Sequence, residues 1–271
     1  MNIAIILAGG VGSRVGANIP KQFIEVEGHP ILAYTIKKFQ DCEVIDAIEI
    51  VCHKAYLNHI DEYKTKYGFY KIKWIVEGGN DFQHSVMNGI YNLQSKINDN
   101  DIVLIHYGVS PFIESDIIKD CIKVAEIRGN STSATPCFLL TGRNDDGTKS
   151  TKWIDRDKIM QLNAPQCFKF GYVIDLYERG KKLNILNKLE PHTTTLMFEL
   201  GEPIYFAKGN QMNIKITTKE DLNLFKGYIL ANDIKFDWNR SKIFATIYYH
   251  KQEFCQFLAN DLLWLLRLFD L

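Results

Sequence analysis

The chain has no excess of charge of either sign and no long apolar segment. Its 271 residues include 32 Lys and Arg against 32 Asp and Glu, so the formal net charge is +0. A balanced charge argues against nucleic acid or an acidic membrane surface as the partner. The apolar run that begins at Asn2 is too short for a membrane span, and no basic region precedes it as in a secretory leader. We therefore expect a cytoplasmic protein with no membrane span.

Paired cysteines are also missing. The six cysteines are scattered along the chain, without the spacing of a zinc site or a disulfide framework. Such a set is typical of a reducing compartment. His84 and His192 have no acidic neighbour at a metal-binding spacing, so the sequence assigns no metal ligand.

Short apolar segments alternate with helical patterns over the first 140 residues. The predicted strands are Asn2–Ala8, Ala47–Cys52, Ile72–Glu77, Asp101–His106 and Ser133–Leu140. The predicted helices are Pro30–Gln40, Tyr56–Tyr67, Ser85–Ile97 and Ile117–Arg128. This alternation predicts an α/β fold with a doubly wound, mostly parallel sheet.

The pattern changes after Leu140. The turn signal Asn144–Gly147 lies between two strand-like segments and predicts a projecting β-arm over about residues 139–160. A two-stranded arm is marginally stable alone, so we expect it to pack on a second subunit in a homodimer. Two helices (Tyr172–Lys182 and Thr194–Leu200), a strand at Pro203–Ala207 and a helix capped by Thr218 complete a domain over 1–234. Residues 235–271 form an extension without an assigned role.

The stretch LAGGVGSRVGANIPKQF, Leu7 to Phe23, places glycines directly after the first strand. Such glycines let backbone N–H groups approach an anion. The dinucleotide fingerprint fails because Val15 occupies the third glycine position, and no acidic residue ends the second strand, which argues against an NAD-dependent oxidoreductase. The P-loop pattern is also absent. Two cations, Arg14 and Lys21, remain beside a phosphate-binding turn.

This combination suits nucleotidyl transfer, in which a phosphate oxygen attacks the α-phosphorus of a nucleoside triphosphate. The attacking phosphate has a second pKa of about 6 and is already anionic, so it needs no general base. Cations that stabilise the charge developing at the α-phosphate lower the barrier. An ordinary strand-to-helix turn with a solvated Arg14 and Lys21 is the alternative interpretation.

Five segments carry a resemblance to a known family. In addition to the glycine stretch they are EGGNDFQHSVMNGI, VLIHYGVSPFI, WIDRDKIMQLNAPQCF and NIKITTKEDL, in this order. Over about residues 2 to 232 the chain resembles the sugar-phosphate cytidylyltransferases, which include the methylerythritol 4-phosphate and ribitol 5-phosphate enzymes. The resemblance implies transfer of CMP from CTP to a sugar or polyol phosphate, which gives a CDP-linked product and pyrophosphate. NIKITT and MNGI look closer to the ribitol branch, which implies synthesis of a surface polysaccharide or teichoic-acid-like polymer.

The resemblance also implies roles for single residues. Arg14 and Lys21 would stabilise the transition state, and Arg156 and Lys215 would bind the acceptor phosphate, with Arg156 coming from the partner subunit. Nucleotide contacts would come from Leu7, Ala8, Gly9, Gly10, Gly12, Ser13, Gly79 and Ser85. His106 ends a predicted strand, where open sheets bind ligands, and is a further candidate for contact with CTP. A purely structural His106 is the alternative.

Several positions depart from the family pattern. Tyr107 replaces an aspartate that helps to hold Mg²⁺, while Ser110 and Phe82 replace arginines. Pro191-His192-Thr193 stands where the family has an acidic stretch, and Met212 is apolar where some relatives have aspartate. Mg²⁺ would then be held mainly by the CTP phosphates. An active enzyme with a different acceptor and a catalytically silent nucleotide-binding or assembly subunit both fit these changes.

Overall fold

The computed structural model describes residues 1–10, 19–186 and 192–232. Gly12, Ser13, Arg14 and the extension at 235–271 therefore lie outside the described residues. The strands are β1 (Asn2–Ala8), β2 (Glu25–Val26), β3 (His29–Pro30), β4 (Ala47–Cys52), β5 (Ile72–Glu77), β6 (Ile102–Tyr107), β7 (Asn130–Pro136), β8 (Thr141–Gly142), β9 (Trp153–Ile154), β10 (Met160–Lys169) and β11 (Phe206–Ala207). The α-helices are α1 (Ile31–Gln40), α2 (Leu57–Tyr67), α3 (Phe82–Leu93), α4 (Ser115–Arg128), α5 (Phe170–Lys182), α6 (Thr193–Glu199) and α7 (Lys219–Ala231).

A seven-stranded sheet with the order β11-β7-β10-β6-β1-β4-β5 forms the centre of the fold. β1 pairs in parallel with both β4 and β6, and β4 pairs in parallel with β5. β10 is antiparallel to β6 on one side and to β7 on the other. The predicted mostly parallel sheet is confirmed, and β10 is the strand that reverses direction.

Helices cover both faces of the sheet. The side chains of β1 alternate between the two apolar cores that these helices form with the sheet. Ala4 and Ile6 pack in one core with side chains of α1, α2 and α4. Ile3 and Ile5 pack in the other with α3, α5 and α6. Strands buried on both faces read as continuous apolar runs, which is why β1 was recognisable in the sequence. The doubly wound architecture is therefore confirmed.

Some element boundaries differ from the prediction. Instead of a strand at Ser133–Leu140, β7 ends at Pro136, and Leu139 and Leu140 are 74% and 85% exposed. α3 begins three residues before the predicted Ser85 because the Asp81 side chain accepts a hydrogen bond from the His84 amide at 2.8 Å. Such a cap satisfies an amide that has no partner within the helix. The last predicted strand shrinks to the two residues of β11.

The predicted hairpin is present after β7. Its paired segments β8 and β9 are short, with Thr141 opposite Ile154 and Gly142 opposite Trp153. The Asn144 side chain accepts a hydrogen bond from the Gly147 amide at 2.6 Å and closes the turn. Trp153 is 70% exposed, so the arm carries an apolar surface.

Two expectations from the sequence concern the cysteines and a membrane span. Cys42, Cys52, Cys121, Cys137 and Cys167 are all buried free thiols. Over the ranges described, no helix combines the length and apolarity that crossing a bilayer requires.

A buried carboxyl group lies between the sheet and α3. Glu49 on β4 is 0% exposed, and its Oε2 accepts a hydrogen bond from the Asn92 side chain at 2.6 Å. A Cβ at Gly89 would lie 2.8 Å from Glu49 Oε1, so the glycine makes room for the acid. Burial raises the pKa of Glu49 to about 8, although the Asn92 hydrogen bond acts in the opposite direction.

This group makes stability depend on pH. An unfolded glutamate titrates near pH 4.3, so between about pH 5 and pH 8 the native chain binds more protons than the unfolded chain at this site. The free energy of unfolding should therefore fall as the pH rises through this range. Glu49→Gln should remove the part of this decrease in the free energy of unfolding that comes from Glu49. Thermal unfolding from pH 5 to pH 9 measures the difference. Glu62→Gln, at an exposed position on α2, should follow the wild type; a Glu49→Gln curve parallel to the wild type would contradict the assignment.

Candidate active site

A cleft of about 640 Å³ opens at the carboxyl ends of β1, β4, β5 and β6. The chain leaves β1 towards β4 and β5 and returns to β6 on the other side of β1, so the connections reverse at this point. Open α/β sheets bind ligands at such a reversal. The lining residues are Leu7, Gly9, Gly10, Lys21, Gln22, His53, Lys54, Glu77, Gly78, Gly79, Asn80, Asp81, Phe82, Ser85, Tyr107, Val109, Lys215 and Thr217.

One wall of the cleft is the start of the glycine loop after β1. Gln22 is buried, and its side-chain amide donates hydrogen bonds to the carbonyl oxygens of Ala8 at 2.6 Å and Gly10 at 2.9 Å. Leu7, Gly9 and Gly10, for which the sequence predicts contacts with CTP, line the cleft, whereas Ala8 is buried in the core behind them. Gln22 was not singled out in the sequence, although its place directly after Lys21 was a usable signal.

A second glycine loop joins β5 to α3 on the opposite wall. The Ser85 hydroxyl accepts a hydrogen bond from the Gly79 amide at 3.1 Å and donates one to the Asp81 carbonyl at 2.8 Å. A Cβ at Gly79 would lie 2.3 Å from the Cβ of His84, so only glycine fits there. Both predicted residues, Gly79 and Ser85, lie at the cleft, and the hydroxyl of Ser85 fastens the loop.

Two lysines reach the cleft from distant parts of the chain. Lys21 is 9% exposed, and its Nζ donates a hydrogen bond to the Ile216 carbonyl at 2.8 Å. The amide of Ile216 in turn donates to the Val109 carbonyl at 2.9 Å. Lys215 lies beside this contact, with its Nζ 4.0 Å from the centre of the Tyr107 ring. The fold therefore brings the predicted Lys21 and Lys215 to one site.

Phe82, Tyr107 and His192 form a cluster that we call the aromatic corner. The ring centre of Phe82 lies 5.6 Å from that of Tyr107 and 4.9 Å from that of His192. The Tyr107 hydroxyl and His192 Nδ1 are 3.2 Å apart and share a hydrogen bond. These positions belong to three separate departures from the family pattern, and the fold places them together. The sequence shows that all three positions depart from the family pattern, but it does not show that their side chains are in contact.

His106 is placed away from the cleft. It is 0% exposed, its Nε2 bonds to the Ser110 carbonyl at 3.0 Å, and its ring packs 5.0 Å from that of Phe39 on α1. Burial lowers the pKa of His106 to about 4, so the ring is neutral at physiological pH. Alternation along β6 explains this position, since Tyr107 faces the cleft and its neighbour faces the opposite side. The geometry therefore corrects the suggested ligand contact of His106 and favours the structural interpretation.

Arg156 also lies outside the cleft of its own chain. It follows β9 on the returning side of the arm, and its Nη1 donates a hydrogen bond to the Phe138 carbonyl at 2.8 Å. Ser110 is fully buried and is not a lining residue either.

Acidic side chains are few at the cleft. Among the described lining residues the carboxylates are those of Glu77 and Asp81. Burial would raise the pKa of Asp81, but hydrogen bonds from the His84 amide and ring outweigh it and lower that pKa. Within the described ranges no group of three His, Cys, Asp or Glu side chains could hold a metal ion. Tyr107 offers a phenol bonded to His192, so a protein carboxylate for a metal is missing at this position.

Comparisons with known proteins agree with this architecture. A family model described as 2-C-methyl-D-erythritol 4-phosphate cytidylyltransferase matches residues 2–231. A ribitol-5-phosphate cytidylyltransferase of Lacticaseibacillus paracasei is 35% identical over 234 residues, which are 86% of this chain and 100% of the relative. A 2-C-methyl-D-erythritol 4-phosphate cytidylyltransferase of Clostridium acetobutylicum is 40% identical over 238 residues, 87% of this chain and 100% of the relative.

A solved structure supports the fold. The crystal structure of a 4-diphosphocytidyl-2C-methyl-D-erythritol synthase from Anaerococcus prevotii matches with a TM-score of 0.69 and 24% identity. The match covers 84% of this chain and 98% of that one.

Gly79→Ala tests the second glycine loop. Because the new Cβ would collide with His84, we expect a loss of about 1–3 kcal/mol in the free energy of unfolding and at least about tenfold weaker binding of CTP. Thermal unfolding and titration calorimetry measure the two effects. Gly227→Ala is the control, since a Cβ there would meet nothing within 4 Å; unchanged CTP affinity in Gly79→Ala would show that the loop does not contact the nucleotide.

Proposed function

The chain belongs to the 2-C-methyl-D-erythritol 4-phosphate cytidylyltransferase family, and on this premise we propose how its cleft transfers CMP. It is a nucleotidyltransferase that moves CMP from CTP to a sugar or polyol phosphate and releases pyrophosphate. The observation that carries the residue assignment is the meeting of two glycine loops with Lys21 and Lys215 at one edge of the sheet.

The glycine loops hold the nucleotide in this proposal. Leu7, Gly9 and Gly10, continued by Gly12 and Ser13, would surround the cytidine and its phosphates with backbone N–H groups. Gly79, fastened by Ser85, would contact the nucleotide from the other wall. Backbone amides suit this role because they present dipoles without a charge that must be desolvated.

Lys21 and Arg14 stabilise the transition state at the α-phosphate. The carbonyl of Ile216 holds the Lys21 ammonium in place before the ligand enters. A cation fixed in this way does not have to reorganise as negative charge develops, which is the main source of electrostatic catalysis. The acceptor phosphate is already ionised, so the cleft needs no general base.

The acceptor phosphate binds Lys215 together with Arg156 of the partner subunit, which makes the active enzyme a homodimer. Arg156 is absent from the cleft of its own chain, and it lies on an arm with exposed Leu139, Leu140 and Trp153. Apolar side chains at such exposure are typical of a protein–protein interface. The arm would therefore close the partner's acceptor site while it buries its own apolar surface.

Mg²⁺ would enter with the triphosphate of CTP. Since Tyr107 supplies no carboxylate, the oxygen ligands would come mainly from phosphates and water, with Asp81 or Glu77 as the nearby acids. When bound, the ion neutralises phosphate charge. EDTA should stop pyrophosphate release.

The cellular setting follows as a further part of the proposal. The buried free thiols favour a reducing cytoplasm. Several relatives are named ribitol-5-phosphate cytidylyltransferases, and we place this enzyme in the synthesis of a surface polysaccharide or teichoic-acid-like polymer.

Lys21→Met and Arg14→Met test the catalytic cations. Each should reduce kcat by about 10²–10³ with a modest change in CTP affinity, because the lost contact forms mainly in the transition state. Pyrophosphate release is measured with CTP, Mg²⁺ and a panel of tetritol, pentitol and pentose phosphates. Lys119→Met, on the exposed surface of α4, is the control. Full turnover in Lys21→Met would contradict the role, and CTP binding without turnover in the wild type would favour a silent relative.

Mixed dimers test the shared acceptor site. Arg156→Ala and Lys215→Ala should each abolish activity alone. Co-expressed, they should recover about one quarter of the wild-type activity, because half of randomly paired dimers are mixed and each holds one intact site. Arg143→Ala, on the same arm and paired with Asp145, should stay active. No recovery in purified mixed dimers would place Arg156 outside the partner's site.

A further inference from the structure

A single turn of 3₁₀ helix at Lys21–Phe23 follows the glycine loop, and its three side chains are all buried. The Lys21 ammonium reaches the Ile216 carbonyl in the segment before α7. The Phe23 ring stacks on that of Tyr56, in the turn after β4, with 4.3 Å between the ring centres. This short turn is therefore attached to two other parts of the chain.

Gln22 lies between these two contacts and holds the glycine loop. Its side-chain amide donates hydrogen bonds to the carbonyl oxygens of Ala8 at 2.6 Å and Gly10 at 2.9 Å. A primary amide has two N–H donors, so this pair of bonds uses both. Gly10 is exposed, and within the described chain a Cβ there would meet nothing within 4 Å. Hydrogen bonding rather than packing thus holds this end of the loop.

The direction of these carbonyl groups decides what the loop offers an anion. A carbonyl oxygen carries a negative partial charge and would repel a triphosphate, whereas a backbone N–H attracts it. In the planar peptide unit the C=O and the N–H point in opposite directions, so the bond to the Ala8 carbonyl directs the Gly9 amide away from Gln22. The Gln22 amide is neutral and introduces no charge that would compete with the loop for phosphate.

We propose that Gln22 is a positioning residue that orients the glycine loop for the triphosphate of CTP. It acts through the carbonyl groups of Ala8 and Gly10 rather than on the reacting atoms. The inference rests on the proposed function, since it assumes that this loop binds the phosphates of CTP. Because Lys21 belongs to the same turn, one short segment fixes the position of both the loop and the catalytic cation.

Gln22→Glu tests these hydrogen bonds, because the new side chain gains a donor when it is protonated. As a carboxylate it repels both carbonyl oxygens, and as an acid it donates one O–H. Burial beside two carbonyl oxygens raises the pKa of a glutamic acid at this position above its ordinary value of about 4.3. Relative to the wild type, CTP with Mg²⁺ should bind at least about tenfold more weakly at about pH 8.5. Titration calorimetry should show this ratio shrinking several-fold at about pH 6.

The ratio to the wild type isolates the new carboxyl group from other titrations. The charged side chains and the histidine that line the cleft are Lys21, His53, Lys54, Glu77, Asp81 and Lys215. They are the same in the wild type and the variants, as are the phosphates of CTP. Comparing the dissociation constants of CTP at each pH therefore removes their effect.

Two further variants separate this role from a general loss of structure. Gln22→Met has no donor and no charge, so it should weaken CTP binding by the same factor at both pH values. Gln40→Glu is the matched control, because Gln40 is also buried but its Oε1 accepts a hydrogen bond from the Lys71 amide at 3.0 Å, which a carboxylate also accepts. Its CTP affinity should follow the wild type. In turnover, both Gln22 variants should raise the KM of CTP and leave that of the acceptor phosphate unchanged.

The outcomes separate this inference from the proposed function. If the wild type turns over, wild-type affinity in Gln22→Glu, or a loss that does not change with pH, would overturn the inference and leave the cytidylyltransferase assignment intact. An equal pH effect in Gln40→Glu would also overturn it. Should Gln22→Glu not fold, the KM of CTP in Gln22→Met decides: an increase supports the inference and an unchanged value overturns it. Failure of the wild type to bind CTP would count against both.

Discussion

The hydrogen bond from Lys21 to the Ile216 carbonyl joins residues 195 positions apart, and the site depends on it. A buried ammonium is costly unless its donors find acceptors. The backbone of the segment before α7 supplies one here, and the same segment is bonded to the turn after β6 through Val109. One interaction thus fixes the position of a cation and places Lys215 beside it. The glycine loops shape the cleft, and this contact holds the positively charged ammonium of Lys21 at its edge.

Most of the fold could be predicted because the sheet is buried on both faces. β1, β4 and β5 match the predicted strands residue for residue, since continuous apolar runs ended by polar or glycine residues leave few other interpretations. The predicted extension of a strand over Phe138–Leu140 was wrong for the same reason. Hydrophobicity alone does not distinguish a core strand from the surface of an exposed arm. α3 begins earlier than predicted because Asp81 caps the helix ahead of its apolar pattern.

The site was predictable in its glycines and lysines and less so in its aromatic side chains. Glycine spacing and basic residues carry local signals, so Gly79, Lys21 and Lys215 could be found one at a time. The meeting of Phe82, Tyr107 and His192 depends on the packing of α3, β6 and α6, which no local pattern encodes. His106 shows the opposite case. The predicted strand ended at His106, one residue before the observed end at Tyr107, and the alternation along β6 turns the His106 side chain into the core.

The buried thiols have a consequence for following the molecule in solution. Cys52 lies at the end of β4, its carbonyl accepts a hydrogen bond from the Gly78 amide, and burial raises its pKa to about 12. A buried thiol in that state reacts very slowly with alkylating reagents, because the thiolate is the nucleophile. The Cys52 side chain packs in the core with side chains of α1 and α2, so its alkylation requires that core to open at the end of β4. The rate of that reaction would therefore report how often the packing beneath the end of β4 opens.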